Sequence, residues 1–74
     1  MNFEQVETFY YVTLTKSFIQ TSKVLYISQP TVSARINALE RELGHKLFYR
    51  NRKIVTLTQS GEVFFHMQKK YLKT

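Results

Sequence analysis

His45 and His66 are the side chains best suited to move a proton or hold a metal near neutral pH, and neither has the neighbours such work requires. The chain has no Cys, which removes disulfides and thiolate metal sites. Its acids, Glu4, Glu7, Glu40, Glu42 and Glu62, make no cluster with the imidazoles, and with two glycines they yield neither a Ser–His–acid set nor a Gly-rich phosphate loop. The chain is expected not to be an enzyme, to hold no metal, and to carry no cofactor of its own. Both histidines are expected to be surface or packing residues.

Hydrogen-bonding and basic chemistry remains. In Ser28–Gly44, "SQPTVSARINALERELG", the apolar residues Val32, Ile36, Leu39 and Leu43 recur at the helical period and form one stripe. The opposite side carries Pro30, Ala34, Asn37 and Arg41, flanked by Thr31, Ser33 and Ala38. That face is polar and built from small residues, which suits a helix entering a DNA major groove about 12 Å wide. The formal net charge of +6 and a pI near 9.8 agree with a nucleic-acid surface, and on charge alone simple solubility explains them equally well.

The elements that must position this face can be read from both sides. Phe3, Val6, Phe9, Tyr10, Val12 and Leu14 fall on a broad arc with Glu4, Thr8, Tyr11 and Thr15 outside it, predicting an amphipathic helix over Phe3–Leu14. Ser17-Phe-Ile-Gln20 has the form of a capping box and opens a short helix to about Leu25, with the small pair Thr21-Ser22 at its centre for a close crossing. Tyr26-Ile27 makes the turn, Ser28 caps the next helix with Pro30 in its first turn, and Gly44 ends it. "KLFYR" and "IVTLT" then read as two short strands around the basic turn Asn51-Arg52-Lys53. Thr58 or Ser60 caps a last helix. The fold class is mainly α: a winged helix-turn-helix with a two-stranded β wing and a C-terminal helix. Residues 1–58 form the DNA-binding domain and 59–74 the start of a dimerisation helix. Phe3, Phe9, Tyr10, Phe18, Phe48 and Phe64 could stack on single-stranded bases, but most lie on core stripes.

Over nearly its whole length the chain resembles the N-terminal DNA-binding domain of LysR-type transcriptional regulators. The matching stretches are "MNFEQVETF", "KSFIQTSKVLYISQPTVSARINALERELG", "KLFYR" and "LTQSGE". The resemblance implies sequence-specific binding of double-stranded DNA, with the third helix in the major groove and the wing in the adjacent minor groove. It places base-edge contacts on Gln29, Pro30 and Ser33. A Gln can bridge two groups on adenine, Ser can donate or accept, and a Pro ring can meet a thymine methyl. Many relatives carry a basic residue where this chain has Ala34. Backbone or minor-groove contacts are expected from Ser17, Phe18, Thr21, Ser22, Lys23, Thr31, Arg35, Asn37, Arg50, Arg52 and Lys53. The N–H groups of Ser17 and Phe18 suit a phosphate, Arg52 or Lys53 suits a narrow minor groove, and Arg50 has an internal alternative in Glu40 or Glu42.

The resemblance further implies that the C-terminal helix at 59–74 is a linker helix that pairs with its twin, and that a larger C-terminal domain, outside this chain, binds a small-molecule effector. Within the last helix Val63, Met67 and Tyr71 stand at i, i+4 and i+8 with Phe64 and Leu72 on adjoining rows, more apolar surface than the domain is expected to cover. A homodimer through Val63, Phe64, Met67 and Tyr71 is therefore expected, and a full-length parent admits a higher oligomer. Acids near the N-terminus and the absence of a long apolar run point to a cytoplasmic protein without a membrane anchor. Two other classes stay open: a winged-helix module whose basic face meets an acidic protein, and a cationic amphipathic segment, "HMQKKYLKT", lying on a membrane.

Overall fold

The computed structural model describes residues 1–50 and 54–72, with side chains to residue 68. Its elements are α1 (Phe3–Thr15), α2 (Phe18–Leu25), α3 (Gln29–Leu43), β1 (Phe48–Tyr49), β2 (Thr56–Leu57) and α4 (Gln59–Leu72). The expected class and order are met: a helical domain with a two-stranded antiparallel wing, in which Phe48 faces Leu57 and Tyr49 faces Thr56. The strands are shorter than the apolar runs that predicted them.

Local chemistry sets the helix boundaries. Asn2 accepts from Gln5 N at 2.8 Å while the Gln5 side chain accepts from Asn2 N, a capping box that starts α1. Lys16, at φ 57°, turns the chain left-handed and stops it. Ser17 caps α2 by accepting from Gln20 N at 3.0 Å, but its own N–H goes to the Thr15 hydroxyl at 3.2 Å, which replaces the return half of the expected box. Tyr26 at φ 58° closes α2, a left-handed position that Gly would occupy without steric cost. Ser28 accepts from Thr31 N at 3.2 Å to open α3, and Gly44 at φ 75° ends it as expected. Thr58 settles the choice of cap for α4: its hydroxyl accepts from Gly61 N at 3.0 Å and donates to Lys46 O at 2.6 Å.

The core joins Val6, Phe9 and Val12 of α1 to Val32, Ile36 and Leu39 of α3, with Leu47, Phe48 and Phe64 closing it. Phe9 is its centre, 5.3 Å from the Phe48 ring and 5.0 Å from that of Phe64. The expected α1 arc is too broad. Phe3 and Leu14 are exposed, because they lie about 120° and 140° around the helix from Phe9 at 100° per residue. On the other flank Thr8, expected outside the arc, is fully buried, with its hydroxyl donated to Glu4 O at 2.7 Å.

Gly61 explains how α4 docks. A Cβ there would stand 2.1 Å from the Leu47 carbonyl oxygen, so only glycine lets the helix cross the wing this closely. One turn on, Phe64 drops onto Phe9.

Candidate nucleic-acid interface

The start of α2, the start of α3 and the base of the wing meet around one open groove of about 410 Å³. Ser17 and Phe18, Gln29 and Ser33, and Arg50 line it together with Lys16, Ile19 and Val55. Residues far apart in sequence are thus brought to one surface. Gln29 and Pro30 are exposed and Ser33 is half-buried. Neither Gln29 nor Ser33 spends its side chain on a hydrogen bond to a described residue. Their donors and acceptors face solvent at the N-terminal end of α3, where Ala34 adds no bulk.

The residues expected to meet the DNA backbone divide into groups. Lys23 is exposed on the last turn of α2, and Ser22 beside it donates to Ile19 O at 2.6 Å. The Thr31 hydroxyl lies 2.8 Å from that of Ser28, still at the surface. Arg35 leans back onto α1, 3.4 Å from the Thr8 hydroxyl and 3.8 Å from a Glu4 carboxylate oxygen. Thr21 is a correction: it is fully buried between α1 and α2, and its hydroxyl donates to Ser17 O at 2.8 Å and meets that of Thr15 at 2.9 Å. No surface is left for a phosphate. The Ser17 N–H, held by Thr15, is likewise spent within the fold. Arg52 and Lys53 lie outside the described residues.

Arg50 resolves its alternatives internally. It donates from Nη2 to Glu40 Oε1 at 2.8 Å and from Nη1 to Asn37 Oδ1 at 2.6 Å, which also occupies the Asn37 acceptor. Its guanidinium carbon lies 5.3 Å from the Phe18 ring centroid. Glu40, only 4% exposed, accepts from Leu47 N at 2.7 Å and Phe48 N at 3.4 Å through its other oxygen. Sequence reasoning named Glu40 only as one partner option for Arg50. Its signal was an acid one turn before the end of a helix with two basic residues, Lys46 and Arg50, close behind.

The dimerisation residues also divide. Val63 and Met67 are 56% and 54% exposed and, with Leu43, Leu47 and Met1, line a second groove of about 500 Å³. Phe64 is a correction, since it is 7% exposed and belongs to the core. The Tyr71 side chain lies outside the described ones. His45 and His66 are exposed, and among the described residues no group of three His, Cys, Asp or Glu could hold a metal ion. No described helix is long and apolar enough to cross a membrane.

Two helices at a tight turn, a third packed behind and a β wing beside the second define a winged helix-turn-helix. Residues 3–62 match the model of the lysR family of bacterial regulatory helix-turn-helix proteins, and the chain belongs to that family. It is a family of regulators, so the chain is not an enzyme. The chain is 47% identical over 57 residues to the HTH-type transcriptional regulator YwbI of Bacillus subtilis, covering 77% of this chain and 19% of that protein. It spans about a fifth of the length of the curated relatives it matches. Among solved structures it is similar to the DNA-binding domain of BenM in complex with catB site 1 DNA, with a TM-score of 0.94, 33% identity, and coverage of 97% of this chain and 80% of that one. It is also similar to the CbnR DNA-binding domain in its DNA complex, with a TM-score of 0.92, 30% identity, and coverage of 99% and 84%.

Proposed function

We propose that the chain reads double-stranded DNA sequence for a LysR-type transcriptional regulator, with α3 in the major groove and the wing over the adjacent minor groove. One observation carries the reading. A single groove gathers the α2 N-terminus, the unbonded side chains of Gln29 and Ser33, and the wing base, on a chain of net charge +6. Gln29, Pro30 and Ser33 contact base edges; Phe18, Ser22, Lys23, Thr31 and Arg35 meet the backbone; Arg52 or Lys53 enters the minor groove. The role places the protein in the cytoplasm, and a small-molecule effector would act on a part of the regulator outside this chain. Titration of labelled duplex against salt tests it. Binding is expected to fall steeply between low and moderate salt as phosphate counterions are released. A folded protein that ignores duplex at low salt would overturn the reading and favour an acidic protein as the partner of the basic face.

The regulator acts as a homodimer through α4, and the exposed pair Val63 and Met67 beside an apolar groove supports this. Two-fold symmetry then asks for an interrupted inverted repeat with half-sites about 10 bp or a multiple apart. Sedimentation equilibrium of the wild type and Met67→Glu tests the interface. The charged variant is expected to be monomeric where the wild type dimerises, and equal dimerisation would remove α4 as the contact.

A further inference from the structure

We infer that Arg50 is a positioning residue that sets the angle between the wing and α3, and through it the protein's preference for the sequence flanking each half-site. This rests on the DNA reading proposed above. The wing has little stiffness of its own, since β1 and β2 pair over only two residues each, and an isolated two-stranded hairpin is marginal. Leu47 and Phe48 seat its base in the core, and an anchor outside the hairpin fixes its direction.

The anchor is a single carboxylate gripped from both ends of β1. Before and within the strand, Leu47 N and Phe48 N donate to Glu40 Oε2; immediately after it, Arg50 Nη2 donates to Glu40 Oε1 at 2.8 Å. The same guanidinium reaches one turn back along α3 to Asn37 and lies against the Phe18 ring at the start of α2. Three elements therefore meet on one planar group, and its two bonds to α3 fix an orientation as well as a distance. Glu40 is only 4% exposed, so its carboxylate is shielded from water, while the Arg50 guanidinium that holds it lies partly at the surface. A forked, planar donor is required. Lysine would keep the charge but cannot hold two acceptors in a fixed plane. Asn37, which faces the same side of α3 as the reading residues, acts through Arg50.

The test uses a duplex selected by the wild-type protein from random sequence, made with A·T-rich and with G·C-rich flanks. The affinity ratio of the two reports the wing, because a narrow A·T minor groove attracts basic side chains. Arg50→Lys is expected to bring that ratio to about one, with the salt slope unchanged because no phosphate contact is lost. Asn37→Ala is expected to lower the ratio less, and to cost nothing more in the Arg50→Lys background. Full retention of the ratio by Arg50→Lys, or fully additive losses, would overturn the inference. So would a salt slope about one lower in Arg50→Ala with the ratio intact, the mark of a phosphate contact. A readout without DNA separates this from failure of the DNA reading. Residual dipolar couplings of the amides of Phe48, Tyr49, Thr56 and Leu57, fitted against those of α3 in the folded protein, are expected to reorient in Arg50→Lys. Unchanged couplings refute the positioning role whether or not the protein binds duplex.

Discussion

The front and rear halves of α3 carry similar polar side chains and put them to opposite use. From Gln29 to Ala34 the outward residues keep their hydrogen-bonding groups at the surface, beside the groove shared with α2 and the wing. From Arg35 to Glu40 the polar side chains turn inward: Arg35 to Thr8 and Glu4 of α1, Asn37 to Arg50, and Glu40 to Arg50 and the start of β1. Residue type does not separate the halves. What separates them is where a neighbouring element crosses, since β1 leaves the domain over the rear half and nothing in the described fold covers the front. A helix that must enter a groove needs both: a rear rigidly fixed to its own domain and a front with unspent donors and acceptors, here those of Gln29 and Ser33.

The largest test of this contrast is Glu40→Ala. It strips Arg50 of its carboxylate partner and leaves two buried N–H groups, of Leu47 and Phe48, without an acceptor. A loss of about 3–5 kcal/mol is expected, comparable to the whole stability of a domain this small. Urea unfolding followed by circular dichroism measures it. A loss below about 1 kcal/mol would mean that water or a shifted backbone satisfies those groups, and the rear half would not be the fixed half.

What the sequence revealed follows the same line. The α3 stripe was legible because Val32, Ile36 and Leu39 obey the helical period, and Ser17, Ser28 and Gly44 because caps depend on local bonds. Burial of Thr8 was not, because a threonine can return its hydroxyl to the carbonyl four residues back and then behaves as a small apolar group, as Thr21 also does at the close crossing its size predicted. Phe64 was assigned to a partner because the close approach allowed by Gly61 is a three-dimensional fact with no local pattern. Asn37 was misread because a polar residue on an outward helical position looks solvated until the element that lands on it is known, whereas Glu40 was foreseen as a partner of Arg50 but not as the acceptor for the start of β1. The exposure of Gln29 and Pro30 needed no such knowledge. The wing tip, Arg52 and Lys53, rests on residue type alone.

A smaller effect of opposite kind is expected at Gln29. Its side chain bonds to no described residue, so Gln29→Ala should leave folding stability within about 0.5 kcal/mol of the wild type. It should instead lower discrimination between a selected duplex and random duplex by about 1–3 kcal/mol, the worth of a bidentate contact to adenine. Paired binding titrations measure the ratio. Equal weakening on both duplexes would make Gln29 a backbone contact and blur the distinction between the two halves.

The smallest effect falls at the boundary, on Arg35. Its contacts are long, 3.4 Å to the Thr8 hydroxyl and 3.8 Å to Glu4, whose carboxylate is largely exposed, so they hold the guanidinium weakly. Arg35→Ala is expected to cost less than about 1 kcal/mol of stability. The neighbouring contrast with Arg50 is informative, because Arg50 is fixed at 2.6 and 2.8 Å by two acceptors and has no such freedom. If Arg35 turns from Glu4 to a phosphate when duplex arrives, one charge contact is lost in the variant. The slope of log affinity against log salt should then fall by about one while the discrimination ratio stays the same. An unchanged slope would keep Arg35 wholly in the rear half with Asn37 and Glu40, and remove it from the backbone contacts proposed above.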